Sequence, residues 1–85
     1  MKKIVEDVAG EGLEKFLGEK ILLMCGCYFY AGILKGVNDD CVLLEDASIV
    51  YETGPWGDKT YKDAQKLPSD WYVSIAAIES FGAGK

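Results

Sequence analysis

From Ile21 to Cys25 the chain reads Ile-Leu-Leu-Met-Cys, five apolar residues in succession. Alternate side chains of a strand point to opposite faces, so Ile21, Leu23 and Cys25 share one face while Leu22 and Met24 share the other. Both faces are apolar, and a strand of that kind has to be covered on both sides. In a lone small barrel the outer face would meet water; here it is expected to meet a helix, a neighbouring subunit, or both. The demand is severe for 85 residues, because a chain so short buries only roughly 60–65% of the surface its unfolded form exposes. Yet 49% of the residues are hydrophobic, which implies either a dense core or apolar surface buried against neighbours. The second fits an obligate oligomer.

Elsewhere the periodicity changes. Ile4, Val5, Val8, Leu13, Phe16 and Leu17 recur at helical spacing, although Gly10 and Gly12 each cost about 1 kcal/mol against Ala in a helix interior. The pattern predicts a helix from Glu11 to Leu17, extended or kinked back toward Ile4 and stopped by Gly18. Apolar β runs follow at Ile21–Tyr30, Tyr30–Val37 and Cys41–Leu44, with β character resuming over Ile49–Tyr51. Gly26 marks a bulge, bend or hairpin start, and Gly32 a position where a strongly curved strand takes no side chain. Asn38-Asp39-Asp40 is a tight turn, since short Asx side chains satisfy local backbone donors. After the Gly54-Pro55-Trp56-Gly57-Asp58 turn cluster, Thr60–Leu67 reads as a modest strand, Pro68-Ser69-Asp70 breaks the chain, and Trp71–Phe81 is the last strand. The expected architecture is one mainly β domain over 1–85: an N-terminal α-helix region at 1–18, then a strongly bent five-stranded antiparallel sheet forming a small SH3-type barrel at 19–81, then a frayed tail at 82–85.

The charged residues narrow the chemistry. Nine basic residues against fourteen acidic ones give a net charge of −5, and all nine are lysines, with no histidine and no arginine. That removes an imidazole base, a Cys–His pair and a His metal ligand, as well as the bidentate fork that grips phosphate or guanine edges. No pairing of carboxylates or lysines that would make an enzyme is legible, and none is expected. The acidic balance repels phosphate over most of the surface. Three cysteines, an odd number, all within apolar β-like runs and without a signal peptide, argue against a disulfide scaffold and for a reduced, cytoplasmic protein. Charges and glycines interrupt every long apolar stretch, so no membrane partner is expected.

Gly32-Ile33-Leu34, Val37, Asn38-Asp39-Asp40 and Cys41-Val42-Leu43-Leu44-Glu45-Asp46-Ala47 together resemble the first motif of the Sm/LSm small-barrel family, and Ile75-Ala76-Ala77-Ile78 followed by Glu79 is similar to the end of its second motif. The resemblance implies a barrel that works as a ring of copies, the last strand of one subunit pairing with the fourth of the next. It also implies RNA binding around a central pore, and it places the candidate pore residues at Asn38, Asp39, Asp40 and Cys41. In the family an Asp, a stacking residue and an Asn from the first motif, with an Arg-Gly pair from the second, form the pocket. Here Cys41 stands where the Asn belongs and Asp39 where a base would stack, while Pro68-Ser69-Asp70 or Trp71-Tyr72 occupies the neighbourhood of Arg-Gly.

A second candidate face comes from the residues themselves. Stacking platforms for single strands interleave aromatics with basic residues, and Trp56, Lys59, Tyr61 and Lys62, with Lys66 nearby, form the only such mixture in the chain. Cys25 and Cys27 share a strand face, but two thiols without His make a poor zinc site, and small buried side chains are their expected role. No metal and no cofactor is expected. The expected partners are further copies of the chain, with single-stranded RNA or proteins as ligands. Three functions stay open: an Sm-like ring acting on RNA as a binding or chaperone module, a structural or adaptor ring contacting proteins, and a monomeric SH3-like barrel binding a peptide through its aromatics.

Overall fold

The computed structural model describes residues 12–85. Six strands form one antiparallel sheet: β1 (Lys20–Cys25), β2 (Phe29–Val37), β3 (Cys41–Glu52), β4 (Asp63–Lys66), β5 (Trp71–Ser74) and β6 (Ile78–Ala83). Their order is β4-β3-β2-β1-β6, with β5 also paired to β3. The long strand β3 organises the sheet. One side of it follows β2 from Val42 to Val50. The other side takes β5 along Cys41–Leu44 and β4 along Ser48–Glu52.

Between those two halves β3 bends. Asp46 adopts φ 55°, a left-handed conformation that aspartate tolerates better than most residues. The β2–β3 register shifts on both sides of Ile33 and Leu34, so both strands curve together. Gly32 sits under the bend, where an added Cβ would lie 2.9 Å from the carbonyl oxygen of Glu45. The strongly curved strand expected at Gly32 is therefore present, and the curvature comes from an unequal residue count on paired strands.

The sheet buries apolar side chains on both faces. Ile21, Leu23, Leu34, Val42 and Leu44, each 0% exposed, form the main core with Ala47 and Val73. On the opposite face Leu22, Ala31 and Val50 make a smaller cluster, lined by Met24, Phe29 and Tyr61. The two-sided apolar β1 thus finds both covers among the residues of its own chain. No polar or charged residue is buried among the described residues.

Three expectations are corrected. The predicted α-helix over Glu11–Leu17 is replaced by a 3-10 helix of five residues, Gly12–Phe16; its extension toward Ile4 lies outside the described residues. Gly12 at φ 63° and Gly18 at φ 81° bracket this stretch, leaving too little chain to repay the nucleation cost of an α-helix. Among the described residues the strands number six rather than five. Cys41–Leu44 and Ile49–Tyr51 merge into β3, whereas Trp71–Phe81 divides into β5 and β6 around a 3-10 turn at Ile75–Ala77. Third, the sheet does not close into a barrel. That 3-10 turn carries the chain from the β3 edge to the β1 edge, so β5 pairs β3, β6 pairs β1, and among the described residues no ladder joins the two ends.

The end of the chain also differs from a frayed tail. Gly82 and Ala83 belong to β6, paired with Leu22 and Ile21, and Gly84 N–H donates to Lys20 O at 3.0 Å.

Candidate functional site

The turn joining β2 to β3 carries the expected pore residues. Asn38 Oδ1 accepts hydrogen bonds from Asp40 N–H at 2.8 Å and Cys41 N–H at 2.9 Å, while Asn38 N–H donates to Cys41 O at 3.0 Å. The side-chain oxygen of Asn38 is thus engaged by its own turn. Asp39 and Asp40 are exposed and Cys41 is half-buried, placed opposite Ser74 of β5. The turn is held from the far side by Ile75 N–H, which donates to Asp40 O at 2.9 Å. It offers a ligand two carboxylates, which suit a cationic group and repel phosphate.

The second expected face is split. Lys66 leaves it to pair with Asp46 at the β3 bend. The hydrogen bond from Lys66, followed by the positive charges of Lys66 and Lys20, holds the Asp46 carboxyl below the usual aspartate range, against a weaker opposing effect of burial. Lys59 and Lys62 are exposed, Trp56 is 61% exposed and Tyr61 is half-buried. Trp56 and Tyr61 are drawn together by a residue that the sequence placed in a frayed tail. The Lys85 ammonium stands 5.7 Å from the centroid of the Trp56 ring and 5.3 Å from that of Tyr61. Lys85 N–H also donates to Tyr61 Oη at 3.0 Å. Nothing local in Gly82-Ala83-Gly84-Lys85 signals this; the contact depends on where β6 ends.

A third surface gathers aromatics from distant parts of the chain. The β1–β2 hairpin supplies Cys27, Tyr28 and Tyr30, and β5 supplies Trp71 and Tyr72, around a cleft of about 470 Å³ that no charged residue lines among the described residues. The hairpin turn is set by Cys25 N–H donating to Tyr28 O at 3.2 Å. Tyr28 stacks edge-on against Tyr51, with centroids 5.9 Å apart and planes at 88°. Tyr72 is 68% exposed. Burial pushes the Cys25 thiol up, which keeps it protonated and a poor nucleophile. Burial, then the neighbouring Cys25, Tyr28, Cys27 and Tyr51, pushes the Tyr30 phenol up as well. The cleft presents aromatic rings, thiols and hydroxyls, a lining suited to apolar side chains and backbone groups. The aromatics were visible in the sequence, but their convergence required the β5–β3 register.

A polar network flanks the bend. Lys35 Nζ donates to Asp70 at 3.1 Å and lies 3.8 Å from Glu45, and these two carboxylates, Asp70 foremost, raise the affinity of Lys35 for its proton. Among the described residues no helix is long and apolar enough to cross a membrane. No protein-family model matches the sequence, and no curated protein matches it.

Proposed function

We propose that this chain is a non-enzymatic, self-assembling module of the Sm-like kind, whose copies join edge to edge in a homo-oligomeric ring that receives a protein partner. The observation that carries the reading is the pair of open edges. Among the described residues β4 pairs only with β3 and β6 only with β1, so each leaves backbone donors and acceptors to another strand. The two edges differ in sequence, and β4 of one copy against β6 of the next is a heterologous contact, which builds a ring when its rotation closes. Phe81 on β6, 40% exposed, adds apolar area at that edge. A protein ligand is supported by the uncharged aromatic cleft, by the exposed Asp39 and Asp40, and by the net charge of −5.

The test is solution mass by light scattering at two protein concentrations. The expected result is a discrete multiple of 9.3 kDa that persists on dilution. Successive N–H groups of an antiparallel strand point to opposite edges, so one of Ala64→Pro and Gln65→Pro removes an outward donor without touching the β3 ladder. That variant is expected to be monomeric with its β-sheet circular dichroism retained. A monomeric parent chain would overturn the ring.

One observation favours a second reading, single-stranded RNA on the hairpin: the exposed Trp56 indole lies on a loop with the exposed Lys59 and Lys62. Binding of oligo-U or oligo-A at low salt, weakened by Lys59→Ala and Lys62→Ala, would support it. No binding of either homopolymer would sink it.

A further inference from the structure

Lys85 reaches into the β3–β4 loop and ends in a site built for its charge. Its ammonium donates to Thr53 O at 2.7 Å, Pro55 O at 2.8 Å and Thr60 O at 3.2 Å, and the Trp56 and Tyr61 rings stand within cation–π range. A primary ammonium has three N–H donors and no acceptor, and here three carbonyls meet them. No carboxylate pairs with Lys85 among the described residues; carbonyl dipoles and ring faces hold the charge.

The loop fixes two of those carbonyls through bonds that do not involve Lys85. Thr53 O also accepts Lys62 N–H at 3.3 Å, and Pro55 O also accepts Asp58 N–H at 3.1 Å. The receptor is thus braced by its own backbone, and the lysine fills it as a ligand does. The shape is selective: a guanidinium spreads its donors over a planar fork, and a trimethylammonium has no donor at all.

We propose that the Thr53–Tyr61 loop is a receptor for a primary alkylammonium group, filled in this molecule by its own Lys85 and open to a lysine side chain of a partner protein when Lys85 withdraws. An acidic module favours the approach of such a basic partner. The receptor is separate from the aromatic cleft, whose lining includes none of Thr53, Pro55, Trp56, Thr60 and Tyr61.

The experiment titrates n-butylammonium, a stand-in for the lysine side chain, into the parent chain and a Lys85→Ala variant. The readout is the indole N–H resonance of Trp56, with butyltrimethylammonium as the equally charged control. Lys85→Ala is expected to bind butylammonium saturably, and the parent chain at least about tenfold more weakly, because a tethered ligand competes at high effective concentration. The control is expected to leave the resonance in place. Equal affinity of the two chains, no saturable binding by Lys85→Ala, or equal binding of the control would overturn the proposal. A measurement on the unaltered chain guards against a variant that fails to fold. The ammonium protons of Lys85 should exchange with water more slowly than those of the exposed Lys59 and Lys62, and faster in Trp56→Ala; equal rates in the unaltered chain would also overturn it.

Discussion

At Gly32 a Cβ would meet the carbonyl oxygen of Glu45 at 2.9 Å, Leu44 Cβ at 3.2 Å and Ala47 Cα at 3.3 Å, three atoms of the bend that Asp46 makes at φ 55°. Two of those contacts are with backbone atoms, which cannot swing aside as a flexible side chain would. Gly32→Ala is expected to destabilise the fold by about 1–3 kcal/mol. Gly36→Ala, four residues along the same strand with nothing within 4 Å of the added carbon, should stay within about 0.5 kcal/mol of the parent. Urea denaturation of the two variants checks the contrast. Gly32 could be read from the sequence as a curvature point, because a glycine in an apolar β run has few other uses. The left-handed Asp46 could not, since its conformation follows from β3 changing partners and leaves no local signature. Asp46 also carries a pH dependence. Its carboxyl is held below the ordinary value, chiefly by the hydrogen bond from Lys66. The stabilisation is therefore fully present above the unfolded-state aspartate value of about 3.9 and fades as the pH falls through the lower folded-state one. Lys66→Met should shrink the loss of stability between neutral pH and about pH 2.5; an unchanged loss would show that the pair contributes nothing.

The β2–β3 hairpin owes its turn to one side chain. Asn38 Oδ1 accepts two backbone N–H groups, from Asp40 and Cys41, and no other side chain of the turn makes a comparable bond among the described residues. Asn38→Ala is expected to cost roughly 1–2 kcal/mol, and Asn38→Asp, which keeps the acceptor, much less; thermal denaturation separates them. This turn was legible because Asn-Asp-Asp between two apolar runs has one economical conformation. The last strand was not. Trp71–Phe81 has no glycine or proline before Gly82 to mark a break, yet Ile75–Ala77 leaves the strand to cross between sheet edges. The N-terminal helix failed for the opposite reason: the apolar spacing was helical, but the glycines at both ends of Leu13–Leu17 left room for only a 3-10 helix.

Taken whole, the molecule is a curved open sheet whose far ends are strapped together by one lysine. Thr53, Pro55 and Thr60 lie in the loop leading to β4, whereas Lys85 follows β6, so the strap spans the gap that a closed barrel would fill with a ladder. Sequence patterns report strands and turns through their neighbours in the chain; whether the first and last edges of a sheet meet is settled by accumulated twist and bend, which no short window contains. What the sequence did convey was the demand of β1 for cover on both sides. Ile21, Leu22 and Leu23 are 0%, 3% and 0% exposed, and that has a consequence for how this chain can vary over time. A strand with one wet face can drift at every second position, trading one polar residue for another at little cost. Here three adjacent positions meet packed atoms whichever way they point, so the segment has no silent register in which substitutions can accumulate, and diverged copies of this chain should keep an unbroken apolar triplet where ordinary strands keep alternating ones.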